Sequence, residues 1–268
     1  GSDVVAGYGE EQRCSSGRGQ QLMPWPNRIR DGRYTVDDTA HQLAITEVEN
    51  HNASHGLVRW SVWELIEHTD AALTVGLRLF PQPGWDHQLS LRTSYLLDDS
   101  GLVVTTTARN VGLGAAPFGY GAHPYLSIGV ADITEVRLQV PGGRWVEVDE
   151  RSLPVATRPV EGDPHDFRTE REIGAALLDT AYCDLQRGAD GRWRSQVTVP
   201  GASPVTLWGD EAFPWLQVFT GLGHLGRANP GVAIEPMSCP ADAFNSGEDL
   251  VWLGPDEEWT GTWGISPG

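Results

Sequence analysis

Short runs of β-branched and aliphatic residues with partial alternation recur along this sequence, and they constrain its fold more than any other feature. LTVGLRLF (Leu73 to Phe80), LSLRTSYLL (Leu89 to Leu97) and LVVTTTARNV (Leu102 to Val111) are of this kind and read as strands. The DDSG between the last two is a turn, so those two are expected to form a hairpin. VRLQV, WVEVD, SQVTV, VTLW, LQVFT and VAIEP continue the pattern toward the end of the chain. The clearest helical candidate, EREIGAALLD (Glu170 to Asp179), is short and contains a glycine. The 32 glycines and 18 prolines are spread throughout rather than gathered into a linker, and no internal repeat is present. The expected fold is all-β: one antiparallel sandwich or barrel over residues 1–268, as a single domain.

Composition narrows the function classes. With 40% apolar residues and 11 tryptophans the chain can bury a large core. Its 19 basic and 36 acidic residues give a net charge of -17, which repels phosphate backbones and anionic membranes. Nucleic-acid and membrane partners are therefore not expected, although a local cationic pocket is compatible with that total. Cys14, Cys183 and Cys239 are odd in number and far apart, so they form neither a disulfide framework nor a paired-thiol metal motif. That usage suits a reducing compartment, and a cytoplasmic location is expected. No apolar run approaches the ~20 residues of a membrane helix. The opening GSDVVAGYGEE has neither a basic nor an apolar signal region, so no secretory signal is expected.

Several motifs can be set aside. GLGHLG (Gly221 to Gly226) matches a dinucleotide fingerprint, but that motif needs a helix to hold the pyrophosphate. RANPGVAIEP follows instead, so a loop between antiparallel strands is expected and no nucleotide. HNASH places His51 and His55 four apart, a metal spacing on a helix, yet Asn52, Ser54 and Gly56 disfavour a helix there. His55 is left as a polar loop residue or one that faces a substrate. No metal site is expected. There is no G-x-S-x-G elbow, and Cys239 reads as a packing residue.

Two strand ends share an unusual arrangement. His123 precedes Pro124 in GYGAHPYLS, and Glu235 precedes Pro236 in GVAIEPMSCP. A residue before proline is pushed into an extended conformation. Gly119, Gly121 and Ala122 leave room beside the first of these for something to approach the backbone. Glu235 ends a short apolar strand, and a carboxylate there must face solvent, a partner or a cleft. An imidazole and a carboxylate facing each other make a general acid and a general base. Arg28, in PWPNRIRDGRY, is either a surface residue or a fork for sugar hydroxyls or an oxyanion. Asp179, in LLDTAYCDL, either pairs locally or accepts from ligand hydroxyls.

PWPNRIRDGRY, HGLVRW, GYGAHPYL, LDTAYCDL and IEPMSCP together resemble, in order, the motifs of the aldose 1-epimerase (galactose mutarotase) family, in the form of a bacterial branch of uncertain substrate. The resemblance runs from about Pro24 to the C-terminal EWTGTWGIS. It implies a galactose mutarotase-like β-supersandwich with a sugar in a cleft, and a cofactor-independent isomerase. It further implies His123 as general acid at the ring oxygen and Glu235 as general base at the C1 hydroxyl. His55 would lie near the ring oxygen, with Arg28 and Asp179 binding the sugar. Tyr125 and Trp60 are candidates to pack on its apolar face. Relatives usually carry further strands before the arginine segment, so the early Arg28 raises the expectation that the opening strands are lacking. Leu57 also stands where many relatives have a second glycine.

The expected reaction is anomer interconversion of a neutral free aldohexose. Two alternatives are an epimerase of a phosphorylated or sulfonated hexose, which needs several arginines converging on the cleft, and a sugar-binding protein without catalysis.

Overall fold

Alternation decides which side chains this chain buries. The computed structural model describes residues 3–129, 131–221 and 231–267. Two large antiparallel sheets dominate it. The eight-stranded one runs, in spatial order, Gln21–Leu22, Gly121–Ala122, Gly231–Met237, Trp215–Phe219, Asp179–Leu185, Gly142–Val148 and Pro154–Pro159, with Tyr125–Ser127 also paired to Gly231–Met237. The nine-stranded one runs Arg171–Glu172, Arg137–Gln139, Trp193–Thr198, Val205–Gly209, Glu258–Pro267, Gly101–Asn110, Leu89–Asp98, Ala72–Leu79 and Glu64–His68. Tyr182, Leu216, Val218, Val232 and Ile234 of the first sheet join Leu91, Val104, Leu207 and Ile265 of the second in one hydrophobic cluster. Each fully buried aliphatic side chain contributes about 1.5–3 kcal/mol.

The hairpin expected from LSLRTSYLL and LVVTTTARNV is present, with Leu89 opposite Asn110 and Leu97 opposite Leu102. Its Gly101 has φ +121, and a Cβ there would lie 2.1 Å from the Ile265 carbonyl oxygen, so only glycine fits. The helix expected over Glu170 to Asp179 does not form. Arg171–Glu172 is a strand paired with Arg137–Gln139, Gly174 turns the chain at φ +59, and Asp179 opens the next strand. Only Ile173 and Leu178 in that stretch are buried, five residues apart, so no helical stripe faces the core. Among the described residues the only α-helix is Ala243–Ser246, and no helix is long and apolar enough to cross a membrane.

The space left by the small residues around His123 is taken by the chain itself. A Cβ on Gly119 would sit 2.5 Å from Cys239 Sγ and 3.0 Å from Pro26, and one on Gly121 would sit 2.8 Å from Pro26. GLGHLG lies, apart from Gly221, outside the described residues. The strands on either side of it, Trp215–Phe219 and Gly231–Met237, are antiparallel neighbours.

Candidate active site

On the face of the eight-stranded sheet turned away from the core, register sets polar groups side by side. Glu235 pairs with Gln217, Gln217 with Ala181, and Asp179 with Phe219, so these side chains share one face of three adjacent strands. Tyr125, opposite Ala233, extends the row. Glu235, Gln217, Asp179, Phe219 and Tyr125 line a cleft of about 320 Å³ together with Ser16, Gly17, Asn27, Arg28, Thr46, Glu47, Ser54, His55, Arg59 and His123.

His123 is held on every side. Its N–H donates to the Gln20 carbonyl at 3.1 Å, and its own carbonyl accepts from Gly19 N–H at 2.9 Å. Tyr125 stacks on the imidazole with centroids 5.2 Å apart and planes 7° off parallel, and its hydroxyl donates to the Ser16 carbonyl at 3.1 Å. His55 meets the same ring edge-on at 5.6 Å. Gly17 must lack a side chain, because a Cβ there would come within 2.6 Å of the imidazole. His123 Nε2 faces Glu235 Oε1 at 3.3 Å, with the two side chains only 7% and 3% exposed.

Burial is the main influence on this pair. It pushes His123 down to about 3, with the nearby Arg59 charge acting the same way. It raises Glu235 well above the usual carboxylate range, as does Asp179, against an opposing effect of Arg28. Both directions disfavour an ion pair, so the two groups together hold one proton and no net charge. His123 Nδ1, His55 Nδ1 and Glu235 Oε2 are buried without a hydrogen-bond partner. Unmet polar atoms of this kind cost about 1–3 kcal/mol each and mark a place built for a ligand or water rather than for stability.

Arg28 and His55 come from a small two-stranded sheet, Arg28–Arg30 with Asn52–Ser54, in which Arg28 pairs with Ser54. His55 is half-buried and follows the second strand at φ +62, a left-handed conformation that histidine tolerates better than most residues. Its N–H donates to the Asn27 carbonyl at 2.8 Å. Arg28 Nε donates to Glu47 Oε2 at 2.9 Å, Nη2 to Glu47 Oε1 at 3.0 Å, and Nη1 to Asn27 Oδ1 at 3.0 Å. Asp179 Oδ2 lies 3.7 Å from Arg28 Nη2, and Gln217 Nε2 donates to Asp179 Oδ1 at 2.6 Å.

Six of the seven residues singled out in the sequence thus meet around one cleft: His123, Glu235, Arg28, His55, Asp179 and Tyr125. Trp60 does not. It is 63% exposed and lines an adjoining cavity with Arg13, Cys14 and Ser15, under the Arg59 guanidinium at 5.6 Å. His51 is exposed and pairs with Asp31 at 3.0 Å, away from His55. Among the described residues no three His, Cys, Asp or Glu side chains converge as metal ligands.

Asn27, Glu47 and Gln217 line the cleft without having been singled out, and Arg59, which alternation along the sequence could have turned to solvent, lines it too. Gln217 left a signal, a lone amide inside the apolar strand WLQVF, buried to 4% exposure. Glu47, in a charged loop, left none.

The aldose 1-epimerase family model matches residues 1–266. An uncharacterized Escherichia coli protein, YihR, is 34% identical over 255 residues, covering 94% of this chain and 80% of that protein. Rat galactose mutarotase is 27% identical, over 97% of this chain and 82% of its own. The crystal structure of an aldose epimerase homologue from Caenorhabditis elegans superposes with a TM-score of 0.83 at 17% identity, over 95% of this chain and 83% of that one. The two-sheet all-β architecture is thus the galactose mutarotase-like fold, and the chain belongs to the aldose 1-epimerase family.

Proposed function

We propose that this protein interconverts the α and β anomers of a free aldohexose by acid–base ring opening and closure. The observation that carries the reading is the buried contact of His123 Nε2 with Glu235 Oε1 at 3.3 Å on the wall of a polar cleft. In a cyclic hemiacetal O1 and the ring oxygen are bonded to the same carbon, so the base for one and the acid for the other must be neighbours. Glu235 takes the O1 proton while His123 protonates the ring oxygen and the C1–ring-oxygen bond breaks. The new carbonyl turns about C1–C2 by about half a turn, and the reverse transfers close the ring on its other face. The shared proton first passes from Glu235 to His123 across their 3.3 Å contact, which leaves an ionised base and a protonated acid; ring opening then returns both groups to their neutral forms, with no proton exchanged with solvent. Burial disfavours the ionised starting arrangement and favours the neutral forms reached on opening. His55 supports the ring-oxygen side, and Arg28, Asp179 and Gln217 hold hydroxyls. Each positioned proton carrier typically contributes ~10²–10⁴-fold.

The test is anomer exchange by NMR saturation transfer on glucose and galactose with purified protein. Exchange no faster than in buffer on either sugar sinks the neutral-hexose reading. A second reading, an anionic hexose, draws support from Arg59, which lines the cleft and makes no carboxylate contact among the described residues. Arg30, by contrast, is tied to Asp242 at 3.2 Å. Faster exchange on a charged hexose, suppressed by salt and by Arg59→Gln, would select that substrate and leave the chemistry in place.

A further inference from the structure

Glu47 reaches the cleft from the loop between Thr39–Gln42 and Asn52–Ser54 and is fixed from several sides. Its backbone closes on Asn52 in both directions, at 3.0 and 3.1 Å, and Asn52 Nδ2 donates to its carboxylate at 3.2 Å. Arg28 grips the same carboxylate through Nε and Nη2.

A guanidinium has five N–H donors. Glu47 occupies Nε–H and one on Nη2, and Asn27 Oδ1 takes one on Nη1. What remains for a ligand is one N–H on Nη1 and one on Nη2, the latter 3.7 Å from Asp179. The single positive charge of Arg28 is met by two carboxylates, Glu47 and Asp179. An arginine without such neighbours is a natural anion fork, whereas a compensated one presents donors with no surplus charge.

Resting on the epimerase reading, we infer that Glu47 is a positioning and specificity residue: it holds the Nε edge of Arg28, turns the remaining donors toward the substrate, and makes this end of the cleft select uncharged hydroxyls over anions. The opposing interpretation is that the pair only fastens the small sheet that carries Arg28 and His55.

The two separate in steady-state anomer exchange on galactose and on galacturonate with the full chain. Glu47→Gln raises KM for galactose about tenfold with kcat within about threefold. It also shifts the ratio of kcat/KM toward galacturonate by at least about tenfold. Glu47→Asp keeps the charge and shortens the reach, so it raises KM for galactose and leaves that ratio as in the parent. An unchanged KM, or equal losses on both sugars, overturns the inference. Should Glu47→Gln not fold, Glu47→Asp decides it: an unchanged KM for galactose is then the overturning result. If the parent exchanges neither sugar, the epimerase reading falls instead. Calorimetric Kd values of the two sugars for parent and Glu47→Gln then test Glu47 alone, and an unchanged ratio overturns its role.

Discussion

The two faces of the eight-stranded sheet are built from the same strands and do opposite things. Along Trp215–Phe219 and Gly231–Met237, Leu216, Val218, Val232 and Ile234 point into the core, while Gln217 and Glu235 between them line the cleft. The core face is almost wholly apolar and holds the sheets together. The cleft face keeps a carboxylate and an imidazole out of water, with three buried polar atoms lacking partners. One residue of register therefore separates a group that stabilises the fold from one that costs stability and to which the proposed reaction assigns the chemistry. Substitutions on one face should move folding, and on the other, turnover.

The largest effect expected is on turnover. Glu235→Gln and His123→Asn should each slow anomer exchange at least ~100-fold while the thermal midpoint holds. Near-parent exchange by Glu235→Gln on a sugar the parent turns over would remove the base from the cleft face. On the core face, Ile234→Ala should cost about 2–5 kcal/mol in urea unfolding with little change in turnover per folded molecule. A large loss of turnover at full stability would break the division of labour.

The next effect is on stability against pH. Burial first, then neighbouring His123, Arg59 and Arg28, hold His55 well below its ordinary value of 6.5. Between about pH 5 and 6.5 the unfolded histidine takes up a proton that the native one refuses, so stability falls on acidification. His55→Asn should flatten that slope by at most about 1.4 kcal/mol per pH unit, the limit for one proton. The His123–Glu235 pair holds one proton when native. Unfolded, it holds about one, on the histidine, at the acid end of this window and about half of one near pH 6.5, so the pair adds little slope toward the acid end. Glu235→Gln removes the cancellation: native His123 stays neutral, unfolded His123 is charged, and the slope steepens by up to the same amount. Urea titrations at several pH values measure both, and a Glu235→Gln slope equal to the parent's would contradict a shared proton.

The smallest effect is expected just outside the cleft. Trp60→Ala should leave hexose exchange within about twofold and stability within about 0.5 kcal/mol, because the indole is exposed and borders a different cavity. A tenfold rise in KM would return Trp60 to the sugar.

The sequence by itself determined the strands, the hairpin at DDSG and the break in pairing at His123, because alternation, turn residues and the X-Pro restriction act over a few neighbours. The strand expected to end at Glu235 instead runs on to Met237, because Pro236 and Met237 still pair with Leu216 and Trp215. The sequence also supplied the family motifs that the comparisons match over residues 1–266. Only the tertiary structure decided that Glu47 grips Arg28 across 19 positions, and that Asn27 donates to Gln217 across 190, at 3.4 Å. It decided too that Trp60 turns aside, and that Pro26 and Cys239 occupy the space beside Gly119. EREIGAALLD shows the same limit: its local pattern allows a helix, and pairing with Arg137–Gln139 makes its first residues a strand. Local preferences amount to tenths of a kcal/mol per residue, whereas pairing and burial amount to several per segment, so partners far away in the chain settle every such contest.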